Sequence, residues 1–309
     1  MMLVSVAVCT WNRARLLDQT LTQMNGLVVP ADVDWELLVV NNNCTDDTDE
    51  VLARHRDRLP LRRLFEPTAG LSHARNAAVR AARGELIVWT DDDVLVDPQW
   101  LGAYAAAARA WPEASFFGGT IAAWFETPAP AWMTDAWWPY VSPIYATREI
   151  EEATVEIDQK YLPFGANYAI RSEVQRRYPY DPKLGRMGAQ MRCGEETALI
   201  RQLLADGHHG RFISAACVRH FIPSERINLE YIRGWYFGFG QTMAAQEIHP
   251  AMVRTAKIYP FARAWFWLNV VYGEAGYHLT RRFFKPRCWL WCATHASFYR
   301  GALAPPASG

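Results

Sequence analysis

The sequence predicts an α/β fold, a doubly wound, mostly parallel sheet covered by helices and followed by a helical, aromatic-rich C-terminal extension. Three observations carry that expectation. Short β-rich runs alternate with helical periodicity through the first hundred residues. Each run ends in a polar loop of unusual chemistry. Beyond residue 224 the strand signals stop, and Trp, Tyr and Phe recur in helical patterns with Arg and Lys between them. Alternation at this pace calls for parallel neighbours joined by right-handed crossovers, with a helix covering each apolar face.

Taken in order, LVSVAVC (3–9) is the first strand and 14–24 a helix. ELLVV (36–40) is the second strand, with helical pattern after the Thr45/Asp46 cap region. LRRLF (61–65) is a weaker third strand, and LSHARNAAVRAAR (71–83) is helical. ELIVWT (85–90) is the clearest strand, and a helix starts near Pro98. The stretch 112–165 is rich in Pro and Trp, shows little periodicity and reads as a long loop region. Glu195 to Asp206 then reads as a helix, RFISAACVRHF (211–221) as a strand, and the chain from Asn228 onward as helical.

The 309 residues are 50% hydrophobic and 21% charged, enough to bury a large core and unlike a disordered chain. Lys+Arg and Asp+Glu cancel at 32 each, so no global field argues for nucleic acid. The cancellation hides a split. Residues 251–309 hold eight basic side chains against one acid, Glu274, and a basic tail on an acidic body suits an anionic surface. The start lacks a secretory leader, and nowhere do about 18 apolar residues run together. Six scattered cysteines suit a reducing compartment. The expected location is therefore cytoplasmic, with peripheral contact at the inner face of the membrane through segments such as RRFFKPRCWLW (281–291). Cys288, Cys292 and His295 stand among tryptophans and read as a buried thiol pair rather than a zinc site.

In a doubly wound sheet, ligands bind outside the carboxyl ends of the strands. Here the first strand exits into Thr10-Trp11-Asn12-Arg13 and the second into the polar run Asn41 to Asp47. The third is followed by Gly70-Leu71-Ser72-His73-Ala74-Arg75-Asn76, and the fourth by Asp91-Asp92-Asp93. Three successive carboxylates repel unless something positive sits between them. A helix cap needs only one acid, so the triplet favours a hard divalent cation, Mg²⁺ or Mn²⁺, of the kind that holds substrate phosphates. Neither a P-loop nor a dinucleotide glycine fingerprint follows the first strand, which argues against a Walker NTPase and a Rossmann dehydrogenase.

CTWNR, VVNNNCTDDT, GLSHARNAA and TDDDV resemble, in order and spacing, the nucleotide-sugar half of family 2 glycosyltransferases with the GT-A fold. PFGANYAIR (163–171) and GEETALIRQLL (194–204) resemble that family's acceptor half, so the resemblance covers about residues 3–225. It implies a GT-A catalytic domain over 1–225, with a mixed, mostly parallel sheet, and a helical extension over 226–309. It also implies an inverting, metal-dependent transfer from a nucleotide-diphosphate sugar, UDP-sugar ahead of GDP-sugar. The acceptor would be a saccharide or a lipid-linked molecule in bacterial surface polysaccharide or glycolipid synthesis. By position, Thr10, Asn12 and Arg13 would lie beside the nucleoside and diphosphate, with Asn43 in the same donor site. Asn41 stands where the family commonly has an aspartate that bonds the uracil ring. Arg75 would contact nucleotide or phosphate, and Asp91 and Asp92 would lie near ribose and sugar. Asp93, with Asp91 and His220, would bind the metal. Arg226, in the segment after His220, reads equally as a contact to the diphosphate or as a solvated surface arginine. Gly165, Ala166 and Asn167 would approach the sugar and acceptor. Glu195-Glu196 replaces the family's usual Glu-Asp pair; Glu196 aligns with the base, and Glu195 is the alternative. A competing expectation is a catalytically inert nucleotide-sugar-binding scaffold in a polysaccharide assembly complex, against which the complete carboxylate set argues.

Overall fold

The computed structural model describes residues 1–134, 138–159, 161–185, 194–245, 260–281 and 286–304. The described chain divides into two units: residues 1–124, 145–159, 161–185 and 194–221, and then 125–134, 138–144, 222–245, 260–281 and 286–304.

The first unit opens with β1 (Met2–Thr10), α1 (Ala14–Met24), β2 (Val33–Asn41), α2 (Thr48–His55), β3 (Leu61–Phe65), α3 (Leu71–Ala81) and β4 (Leu86–Asp91). The four strands pair in parallel in the order β3-β2-β1-β4. Their apolar runs are nearly continuous because both faces are covered. Val4, Val6 and Val8 of β1 pack with Leu17 and Leu21 of α1 on one face, whereas Ala7, Ile87 and Trp89 meet Ala74 and Ala78 of α3 on the other. Register decides where the chemistry goes. Thr10 stands opposite Asn41, Cys9 opposite Asp91, and Asn41 opposite Phe65, so all four strands end level on one edge.

The unit continues with β5 (Val94–Val96), α4 (Trp100–Ala110), β6 (Ala114–Phe125), β7 (Thr154–Glu156), β8 (Asn167–Arg171), the short α7 (Ser172–Gln175), α8 (Glu195–Ala205) and β9 (His209–Ile222). Two short helices, α5 (Ala131–Thr134) and α6 (Trp138–Val141), lie between β6 and β7 in the chain. Among the described residues the full sheet runs β3-β2-β1-β4-β8-β6-β9-β5, with β7 paired on β9. β8 is antiparallel to β4 and β6, and β9 is antiparallel to β5 and β7, so the sheet is mixed.

The expectation of a long loop over 112–165 is corrected by β6, twelve residues lying between β8 and β9. Residues 114–119 are buried on both faces, so ASFFGG shows no alternation, and its paired glycines resemble a turn. Gly119 is required by close approach: a Cβ there would stand 2.3 Å from the Ala216 carbonyl oxygen and 2.4 Å from Asn167 Nδ2.

Asn167 is correspondingly an interior residue. Its Oδ1 accepts from Trp100 Nε1 and Tyr104 Oη, both at 2.8 Å. Its Nδ2 donates to the carbonyls of Thr120 at 2.9 Å and Ala216 at 2.7 Å. One amide thus ties α4, β6 and β9 to the start of β8.

The second unit contains α9 (Leu229–Ala245), α10 (Pro260–Thr280) and α11 (Pro286–Leu303) along with α5 and α6. Glycine brings these backbones together. A Cβ on Gly301 of α11 would meet the Phe237 carbonyl of α9 at 1.8 Å, and one on Gly273 of α10 would meet the Cys292 carbonyl of α11 at 2.8 Å. Cys292 is buried but Cys288 is exposed, so the expected buried thiol pair is half right. His295 accordingly makes its contacts within the unit, hydrogen-bonding Asn269 Oδ1 at 3.0 Å and stacking on Trp291. Among the described residues no helix is long and apolar enough to cross a membrane.

Replacing Asn167 by Leu keeps similar bulk but strands two donors and two carbonyls in the core. Unfolding in urea should show a loss of about 3–5 kcal/mol, the cost of several buried polar groups left unpaired.

Candidate active site

Carboxylates crowd the level edge of the sheet. β4 ends in Asp91, Asp92 and Asp93 follow in a tight turn before β5, and Glu195 and Glu196 open α8. Two arginines stand among these five groups.

Arg13, just before α1, donates through Nη1 to Asp92 Oδ1 at 3.0 Å and Asp93 Oδ2 at 2.8 Å. Thr10 Oγ1 donates to Asp92 Oδ2 at 2.7 Å, and Thr20 Oγ1 donates to the Asp92 carbonyl at 3.0 Å. Burial pushes the Asp92 carboxyl up to about 6; Arg13 opposes that shift and the charge of Asp93 adds to it. His220, near the end of β9, presents Nε2 3.5 Å from Asp93 Oδ1. Its Nδ1 lies 2.7 Å from the Tyr145 carbonyl, which can only accept, so Nδ1 carries a proton and Nε2 is the atom turned to Asp93. Burial disfavours the His220 cation, but the Asp93 carboxylate, Asp91 and the bond to the Tyr145 carbonyl together outweigh it and lift the imidazole above its usual value.

Arg75, from the first turns of α3, is buried. Its Nη1 donates to Glu195 Oε1 at 2.7 Å and lies 3.9 Å from Glu196 Oε2, while Nη2 is 3.7 Å from Asp91 Oδ1. Three rings box the guanidinium, with centroids 5.9 Å (Trp89), 5.8 Å (Tyr168) and 5.4 Å (Tyr180) from its central carbon. The two tyrosine hydroxyls hydrogen-bond to each other. Burial opposes the Arg75 charge, yet the acidic groups around it hold it protonated. Burial also pushes the Glu196 carboxyl up to about 7; Glu195 adds to the rise and Arg75 opposes it. Gly165 fits against this pair: a Cβ there would stand 2.7 Å from Arg75 Nη2 and 3.6 Å from Glu196 Cδ.

The sequence-predicted residues fall into three groups. Thr10, Arg13, Asp92, Asp93 and His220 form one cluster; Arg75, Glu195, Glu196 and Gly165 form a second, which Asp91 joins through Arg75. Asn12, Asn41 and Asn43 are in the polar loops, where they shape the backbone. Asn12 and Asn43 take positive φ, which asparagine tolerates well. Asn12 Oδ1 accepts from the Thr45 amide at 2.7 Å, and Asn43 Nδ2 donates to the Pro67 carbonyl at 2.7 Å. Asn41 donates to Asp49, which Arg63 grips through two nitrogens, and accepts from the Cys44 amide, so both ends of its amide are engaged. Ala166 and Asn167 are not brought to the cluster. Both are buried, Ala166 in the turn before β8 and Asn167 at its first position, and the Ala166 carbonyl accepts from Thr90 Oγ1. Arg226 belongs to the second unit. Sequence reasoning missed Trp89, Tyr168, Tyr180 and Thr20, ordinary core residues by pattern whose meeting around Arg75 and Asp92 is tertiary.

Among the described residues no three acidic, cysteine or histidine side chains form a ready-made metal shell. The donor chemistry nevertheless fits a hard divalent ion. Five carboxylates face two guanidinium groups, and an imidazole whose Nδ1 is held by a backbone carbonyl turns Nε2 to one of them. Asp91, Asp93 and His220 are the residues that could hold such an ion.

The edge-on cluster, the mixed sheet and the order of strands define a sugar-transfer type of α/β fold, GT-A, and comparison with known proteins agrees. The model for Glycosyl transferase family 2 matches residues 5–163, just over half the chain, and the protein belongs to that family. Succinoglycan biosynthesis protein ExoM of Rhizobium meliloti is 24% identical over 255 residues, 80% of this chain and 76% of that protein. Validoxylamine A glucosyltransferase of Streptomyces hygroscopicus is 35% identical over 107 residues, covering 34% of this chain and only 25% of that one. The mannosyltransferase PcManGT of Pyrobaculum calidifontis, solved with GDP-Man and Mn²⁺, superposes with a TM-score of 0.63 at 17% identity, covering 97% of this chain and 86% of that one. Staphylococcus aureus TarS 1–349 with UDP-GlcNAc gives 0.57 at 14% identity, covering 97% and 90%. At such identities the structural likeness establishes the fold.

Arg75→Met removes the charge that compensates Glu195 while keeping a long apolar stem. A chemical denaturation curve should show a loss of about 3–5 kcal/mol, as for other buried ion pairs stripped of one partner.

Proposed function

We propose that this glycosyltransferase moves a sugar from a nucleoside-diphosphate donor to a hydroxyl of a saccharide or lipid-linked acceptor, inverting the anomeric centre, with Glu196 as the base. One observation carries the reading: Glu196 lies beside Gly165, its Cδ 3.6 Å from where a Cβ would stand, and its carboxyl is tuned to about 7 by burial and by Glu195. A base poised near neutrality is suited to taking a proton from an alcohol as that oxygen becomes nucleophilic. The acceptor oxygen forms the new bond to the anomeric carbon, the bond to the diphosphate breaks on the opposite side, and the hydroxyl proton passes to Glu196. Arg75 acts as a positioning residue. It pairs with Glu195 beside Glu196, and Glu195 in turn raises its neighbour.

Asp93, Asp91 and His220 would hold a divalent cation, Mg²⁺ or Mn²⁺. When bound, that ion neutralises charge gathering on the departing diphosphate. Arg13 is a counter-charge at the same place, paired with Asp92 and Asp93 and next in the chain to Asn12, whose loop would flank the nucleoside together with that of Asn43. The donor is read as a UDP-sugar, with a GDP-sugar as the alternative; the two solved relatives were captured with one of each. Kinship with a succinoglycan biosynthesis protein supports a place in bacterial surface polysaccharide or glycolipid synthesis; the cytoplasm is the compartment that the scattered cysteines suit. The catalytic part is taken as residues 1–225 and the helical extension as 226–309.

Sugar transfer measured with Mn²⁺ and a panel of donors tests this. Glu196→Gln should keep donor binding and lose transfer by roughly 10²–10⁴-fold, the usual worth of a general base. Undiminished transfer in that variant removes Glu196 from the role. Asp93→Ala should abolish the Mn²⁺ dependence of nucleotide binding seen by calorimetry. Because the base must be unprotonated, kcat/KM should climb about tenfold per pH unit below its pKa and level off above about 7.

A further inference from the structure

Helix α10 is apolar on two opposite sides. One side buries Phe266, Val270 and Tyr277 against α11, where Gly273 and Gly276 let the backbones close. The other side stands in solvent. Trp267, Leu268, Val271, Tyr272 and Leu279 are 56%, 65%, 60%, 64% and 68% exposed. Steps of three, four and seven residues join them into one stripe along the helix. Trp291 of α11, itself 44% exposed, widens it, its ring 6.4 Å from that of Tyr272. The outward stripe of a helix in a soluble protein is normally polar, so a continuous apolar one marks a contact surface.

Charge identifies the occupant. The one acid in residues 251–309, Glu274, is taken up by Arg233 and Arg300, so the stripe carries no negative charge. Eight basic residues against that acid leave the stretch at +7, and Arg281, exposed at the helix end, is among them. Two copies meeting through this stripe would press two such charges together. An anionic lipid layer would instead neutralise them, and Trp and Tyr rings are at home in the headgroup layer. We propose that the outward face of α10 docks on an anionic phospholipid bilayer, the helix lying in the headgroup layer rather than crossing it. The argument uses the helical unit alone and does not depend on the sugar chemistry.

Co-sedimentation of the full chain with vesicles tests the proposal, using phosphatidylcholine alone and phosphatidylcholine mixed with phosphatidylglycerol. The protein should pellet with the mixed vesicles and not with the neutral ones, and raised salt should release it. The double variant Leu268→Glu/Val271→Glu alters only exposed side chains. It should lower the bound fraction about tenfold or more, since a charged apolar face resists burial in lipid, while circular dichroism and thermal melting stay as in the parent chain. Failure of the parent chain to pellet with mixed vesicles at low salt overturns the proposal, as does equal binding by the double variant. A parent chain that sediments as a dimer, and becomes monomeric in the variant, assigns the face to a second copy instead.

Discussion

Like charges that must share a small space are the constraint on which the first unit depends. The level ends of β1, β2 and β4 and the start of α8 bring five carboxylates to one edge, and among the described residues two guanidinium groups and one imidazole answer them. Such a group survives inside a fold only if each charge is paired, protonated or exposed to a counter-ion. All three solutions are visible. Glu195 is paired with Arg75, Glu196 and Asp92 are pushed toward protonation, and Asp91 is half exposed. The ring box around Arg75 and the bare backbone at Gly165 follow from the need to seat a guanidinium where no larger neighbour fits.

The parallel half of the fold was legible because its strands are apolar on both faces and its loops carry all the polar chemistry. The antiparallel half was less so. β5 has three residues and β6 opens with six buried ones including two glycines, so neither yields alternation. Asn167 looked like a loop residue beside Gly165, and only the Trp100 and Tyr104 donors, more than sixty residues away in sequence, make it an interior one. The clustered site residues were readable from order and spacing. What spacing conceals is depth: the resemblance puts Arg75 against nucleotide or phosphate, yet three rings from distant segments enclose it, and its nearest polar partners are carboxylates.

The second unit shows why its helical pattern was recognised but its partition into faces was not. α10 is apolar nearly all round, and a helix with two apolar sides has no amphipathic period to detect. Its buried side is identified instead by small residues: Gly273 and Gly276 on α10, and Ala293 and Ala296 on α11, let the two helices approach closely.

The two polar loops at the sheet edge are stitched across the chain. The Ala14 amide bonds Asp46, the Thr45 amide bonds Asn12, and the Asn12 amide contacts the thiol of Cys44. For either loop to lift away from the other, all three contacts must break. In hydrogen–deuterium exchange the amides of Ala14 and Thr45 would share one protection factor, set by a single cooperative opening, although both sit at the molecular surface.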